Sequence, residues 1–61
     1  MKVYSCMPTV SEMLANSKEY KKFINSIWCG EVYNTKKDAS EHKKVFEKMF
    51  GIKFVILGEE L

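Results

Sequence analysis

The apolar positions of this chain repeat first with the period of a strand and then with the period of a helix. Lys2-Val3-Tyr4-Ser5-Cys6-Met7 alternates, with Val3, Ser5 and Met7 on one side and Tyr4 and Cys6 on the other. Pro8, which has no amide to donate, stops the run, so a short strand is expected. Thr9-Val10-Ser11-Glu12 has the form of a capping box, the Thr9 hydroxyl accepting from the Glu12 amide and the Glu12 carboxylate reaching back to the Thr9 amide. Beyond it Val10, Met13, Leu14, Tyr20, Ile24, Ile27 and Trp28 fall within one arc at ~100° per residue, which predicts an amphipathic helix over residues 10–27. Ser17 and Lys21 intrude on that arc, and Asn16-Ser17-Lys18-Glu19 reads as a fresh cap, so the alternative is two helices divided at 16–17.

Gly30 suits the left-handed end of that helix, and Glu31-Val32-Tyr33-Asn34 is long enough for one short strand. Thr35 is the next N-cap, with Asp38 near the positive end of the helix dipole. Ala39, His42, Val45, Phe46, Met49 and Phe50 form one stripe and Gly51 follows it, predicting a helix over 36–50. Residues 52–57 hold one polar residue, Lys53, and read as a central strand buried on both faces, with 58–61 as a frayed end.

The expected order is β-α-β-α-β, or β-α-α-β-α-β if the first helix is divided. The fold class is then α/β (or α+β): one two-layer domain over 1–61, with a three-stranded, mostly parallel sheet and right-handed crossovers. A chain of 61 residues that is 46% apolar, with a net charge of +2, should fold, but a domain this short is marginally stable unless a partner covers it. Two helices cannot cover both faces of such a sheet, so a face or an edge is left for a protein partner or for a second copy in a homodimer. The longest apolar run, residues 54–57, is far short of the ~20 residues of a membrane span, and no apolar signal segment follows Met1. The expectation is a cytoplasmic chain that keeps Met1.

Cys6 and Cys29 do not make a disulfide framework and are expected as free thiols in a reducing compartment. Cys29-Gly30-Glu31-Val32-Tyr33, followed by Ala39 and His42, resembles the inner half of a C2H2 zinc finger. That resemblance implies Cys29 and His42 as ligands, but Ser26 and Phe46 stand at the two remaining ligand positions, and a structural zinc site needs four. No metal and no cofactor are therefore expected. His42 lies on the apolar stripe and is expected to pack there. A Cys–His nucleophile pair would need a third residue to orient the ring and a concave volume that 61 residues scarcely provide. Gly30, Gly51 and Gly58 are isolated and form no phosphate loop, and Glu59-Glu60 are adjacent acids without fixed separation. The chain is read as no enzyme.

Ten Lys and no Arg remove the bidentate forks on which sequence-specific DNA reading mostly relies. The expected function is a small intracellular binding module that occupies a surface of a protein partner, with Tyr4, Trp28 and Tyr33 as aromatic anchors. Abundant Lys, Ile, Phe and Asn without Arg or Gln fit an AT-rich genome, and the size fits an inhibitor or adaptor of the kind phages and mobile elements encode. The alternative is weak, nonspecific nucleic-acid binding through Lys36, Lys37, Lys43, Lys44 and Lys48 on the outer face of helix 36–50, since lysines suffice for counterion release.

Overall fold

Every helix begins where a hydroxyl caps it. The computed structural model describes residues 1–60 and has the order β1 (Lys2–Pro8), α1 (Val10–Ala15), α2 (Lys18–Ile24), α3 (Lys36–Phe50) and β2 (Phe54–Glu60). Thr9 Oγ1 accepts from the Glu12 amide at 3.3 Å, Ser17 Oγ from the Tyr20 amide at 3.2 Å, and Thr35 Oγ1 from the Asp38 amide at 3.1 Å. The reciprocal half of the capping box is not made. The Thr9 amide donates to the Lys53 carbonyl at 3.1 Å, and the Glu12 carboxylate takes the Lys53 amide at 2.8 Å instead, tying α1 to the start of β2.

Of the two readings of residues 10–27, the divided one is found. Asn16 takes the left-handed conformation (φ 51°, ψ 44°), which Asn tolerates better than most residues, and its amide donates to the Glu12 carbonyl as α1 ends. The break resets the helical phase, and this decides the core. In the undivided arc Phe23 was outside the stripe; in the separate α2 it is the innermost side chain, 0% exposed, while Val10, Leu14 and Ile27 of that arc face solvent.

The sheet differs from the expected one. It has two strands, not three, and they run antiparallel, with Lys2 opposite Glu60, Cys6 opposite Ile56 and Pro8 opposite Phe54. The fold is a small α+β domain with three helices. The expected strand at 31–34 shrinks to a single antiparallel bridge between Tyr33 and Tyr4, squeezed between Gly30 (φ 90°) and the Thr35 cap. Its loss reverses the last strand. A helix back, a strand forward and a helix back would return the chain to the beginning of β1. Here residues 18–33 lead back towards Tyr4 and α3 leads forward to Pro8, so β2 starts where β1 ends. Nor is β2 central or frayed: it is shifted to Phe54–Glu60, and residues 58–60 pair in register with β1. Leu61, the last residue of the expected frayed end, lies outside the described residues.

Alternation places Tyr4, Cys6, Phe54 and Ile56 on the sheet face that α3 covers, and α2 packs on α3. Phe23, Phe46, Phe54, Cys6, Ala39 and Ile52 form the buried cluster, with Phe23 centred 4.9 Å from Phe54, 5.4 Å from Phe50 and 5.8 Å from Phe46. Helix α3 matches its expected bounds, 36–50. Of its stripe, Ala39 and Phe46 are buried and His42 and Phe50 half-buried, whereas Val45 and Met49 are exposed. The molecule measures 34 × 19 × 19 Å, so the core is thin, and Phe23 and Phe46 are its largest fully buried side chains.

Phe23→Ala and Phe46→Ala are each expected to cost ~3–5 kcal/mol, against less than ~1 kcal/mol for Val45→Ala or Met49→Ala, as read by urea unfolding. Equal losses in all four variants would show that the aromatic cluster is not the core.

Candidate functional site

The outer edge of β2 carries backbone groups that no other described part of the chain covers. Tyr4 exchanges both of its backbone hydrogen bonds with Tyr33, at 2.9 and 2.7 Å, so its amide and carbonyl point away from β2. In an antiparallel ladder such groups alternate. The β1–β2 bonds therefore join Val3 to Glu59, Ser5 to Leu57 and Met7 to Val55, and Pro8 sits where no amide is needed. By the same alternation the amides and carbonyls of Phe54, Ile56 and Gly58 point outward from the free edge of β2. One of them is capped: the Glu47 carboxylate on α3 accepts from the Phe54 amide at 3.1 Å. Among the described residues the backbone groups of Ile56 and Gly58 along this edge have no protein partner.

Beside that edge lies the sheet face opposite α3, formed in alternation by Val3, Ser5, Met7, Val55, Leu57 and Glu59. Val3 is buried, apart from the main core cluster, and Met7 half-buried, whereas Val55 is 38% and Leu57 51% exposed. Apolar side chains on an open strand edge are the usual template for pairing with another chain. Glu47 was not singled out in the sequence because its i,i+4 spacing from Lys43 reads as an ordinary helix-surface pair. That pair does exist, at 3.4 Å, but the carboxylate also serves the sheet. The Phe54 amide above all holds the Glu47 carboxyl below its ordinary value; burial opposes it, and Lys43 and then Lys53 add to the lowering.

The three expected aromatic anchors are all half-buried and held within the fold. Trp28 packs against Phe46 at 5.8 Å. Tyr33 stacks on His42 at 4.3 Å and 25°, and its hydroxyl is buried without a hydrogen-bond partner among the described residues. Burial, then Cys6 and Glu31, push the Tyr33 hydroxyl upward in pKa. Tyr4 crosses Gly58, where a Cβ would stand 3.4 Å from its ring and 3.1 Å from Lys2 Cε, and the Lys2 ammonium lies 5.8 Å from the ring centroid.

The chemistry-bearing residues do not converge. Cys6 is buried and donates to the Ala39 carbonyl at 2.9 Å, and burial raises its pKa against the opposing pull of Lys43. His42 Nδ1 lies 2.8 Å from the Asp38 carbonyl, an acceptor, so that nitrogen carries the proton in the neutral ring. Cys29 is a half-buried free thiol beside a shallow depression of about 310 Å³ lined by Ile27, Gly30, Glu31 and Val32. At the remaining finger positions, Ser26 Oγ caps its own turn through the Phe23 carbonyl at 2.6 Å and Phe46 is in the core. Among the described residues no three His, Cys, Asp or Glu side chains come together as a metal site, and no helix is long and apolar enough to cross a membrane.

The lysines of α3 separate into two groups. Lys43 is half-buried and bonded to Glu47; Lys36, Lys37, Lys44 and Lys48 are exposed and form no ion pair with any described residue. At ~100° per residue Lys37, Lys44 and Lys48 share the outermost face, with Glu41 beside them, and Lys36 stands on the flank.

A carboxylate whose pKa is depressed in the fold stabilises it above the unfolded value and loses that effect as pH falls. Stability should therefore drop as pH falls below about 4.5, the ordinary value for Glu47. Glu47→Gln, which keeps an acceptor but no charge, should be less stable at neutral pH and should show a shallower acid decline in urea unfolding between pH 3 and 7. Superimposable pH profiles for the two proteins would show that the Phe54 cap contributes nothing.

Comparison of the chain with protein-family models, with curated proteins and with solved structures found no match.

Proposed function

We propose that this protein is a non-enzymatic binding module that engages a protein partner through the free edge of β2 and the apolar face beside it. The observation that supports the reading is the unpaired backbone of Ile56 and Gly58 next to exposed Val55 and Leu57. An added strand would satisfy those groups and cover those side chains at once. In this reading the contact is aliphatic, from Val55 and Leu57, while Tyr4, Trp28 and Tyr33 act by holding the sheet and α3 in place. An inhibitor or adaptor role and a cytoplasmic location fit such a module and are part of the proposal.

A second reading rests on Lys37, Lys44 and Lys48, which face outward together without ion pairs and could track a phosphate backbone. Glu41 on the same face weakens it, and no aromatic ring there is free to stack on a base.

Affinity capture from extract of the source cell, with and without nuclease, separates the readings. The expected outcome is a partner that survives nuclease and 0.5 M salt, is reduced about tenfold by Leu57→Glu, and is retained by Leu14→Glu, a more exposed site on α1. Loss of every partner on nuclease treatment, or equal effects of the two substitutions, would overturn the reading.

A further inference from the structure

The residues from Lys53 to Glu59 are complementary to their own reverse about Ile56. Resting on the reading of the free edge of β2 as a protein-docking edge, we propose that its occupant is β2 of a second copy, antiparallel about a two-fold axis through Ile56, in a continuous four-stranded sheet of order β1-β2-β2-β1. In a symmetric antiparallel pair each residue faces the one equally far on the other side of the axis. An axis at Ile56 places Ile56 opposite Ile56 of the second copy, Val55 opposite Leu57, and Lys53 opposite Glu59. Every exposed apolar residue then meets an apolar one and the one exposed cation meets an anion, the combinations that stabilise cross-strand pairs. The neighbouring registers do worse. An axis at Leu57 sets Val55 against Glu59, and an axis at Val55 sets Lys53 against Leu57.

The hydrogen bonds fit the same axis. The outward amide of Ile56 donates to the Ile56 carbonyl of the second copy and receives the same bond in return. Each Gly58 amide donates to the Phe54 carbonyl of the other chain. The same pairing brings each Gly58 carbonyl to the Phe54 amide of the other chain, so Glu47 gives up that amide when the two copies pair. The two-fold axis stands perpendicular to the sheet, so both α3 helices lie on one face. Strands are spaced ~4.8 Å apart, and α3 packs on both strands of its own copy, which sets the two helices about 10 Å apart, near the 8–10 Å at which helices pack.

Sedimentation equilibrium from 5 to 500 μM tests the pairing through its charges, because Lys53 and Glu59 side chains are exposed and form no ion pair among the described residues, the charge of Lys53 reaching Glu47 only as a minor influence. The wild-type protein should dimerise. Lys53→Glu and Glu59→Lys should each weaken the dimer about tenfold, since each sets two like-charged pairs face to face, and the double variant should recover to within about twofold. Ile56→Pro should abolish dimerisation while circular dichroism stays native, because the lost amide is unused in the monomer; if that variant does not fold, the charge exchange decides alone. A wild-type chain monomeric at 500 μM, or a double variant no better than the singles, would overturn self-pairing. If that same monomer still captures a protein that Leu57→Glu releases, the broader binding reading stands and the occupant is a different chain; if it captures none, both readings fall.

Discussion

The contact between Phe23 and the aromatic side chains of α3 and β2 is the constraint on which the rest of this structure depends. Phe23 is the one fully buried side chain of α2, and it meets Phe46 and Phe50 of α3 and Phe54 of β2. A domain of this length has a total stability of ~3–9 kcal/mol. Burying one Phe contributes ~1.5–3 kcal/mol, with ~0.5–1.5 kcal/mol more for each well-oriented ring pair. One ring thus accounts for a large share of what holds α2 to the sheet. Because the cluster spends the available aromatics on one side of the sheet, the other side is left to Val55 and Leu57, and the edge to the backbone itself.

What was legible in the sequence was whatever short-range chemistry decides. Thr9, Ser17 and Thr35 marked the helix starts, Gly51 and Pro8 marked ends, and the stripe from Ala39 to Phe50 located α3 because fifteen residues of one period leave little ambiguity. Sheet direction was not legible, since it depends on how many times the chain crosses the molecule. That number changed when four residues between Gly30 and Thr35 made one bridge in place of a strand. The arc over residues 10–27 misled for a related reason. A left-handed Asn16 shifts every later residue around the helix axis, so an apolar set that is contiguous across the break is not contiguous in space.

The site was legible only in outline. An uncovered face or edge was expected from setting two helices against a three-stranded sheet that the structure does not have, and the open edge of the real sheet required the hydrogen-bond phase that Tyr33 reveals through Tyr4. The anchors were sought among Tyr4, Trp28 and Tyr33 because large amphipathic rings dominate many interfaces. In a core this thin those rings are needed inside, and Tyr33 is drawn in so far that its hydroxyl is buried without a partner among the described residues. Glu47 shows how a single side chain manages an exposed edge: it covers the Phe54 amide and leaves Ile56 and Gly58 open, so the accessible part of the edge is short and defined.

If β2 presents an unpaired edge whose outward groups alternate with ones bonded to β1, residue-resolved amide hydrogen exchange along that strand in dilute solution will alternate with them. Slow exchange is expected at Val55, Leu57 and Glu59, protection of Phe54 that is lost in Glu47→Gln, and fast exchange at Ile56 and Gly58 that slows as protein concentration rises. Uniform protection from Phe54 to Glu60 at the lowest concentration, or protection in the opposite alternation, would contradict it.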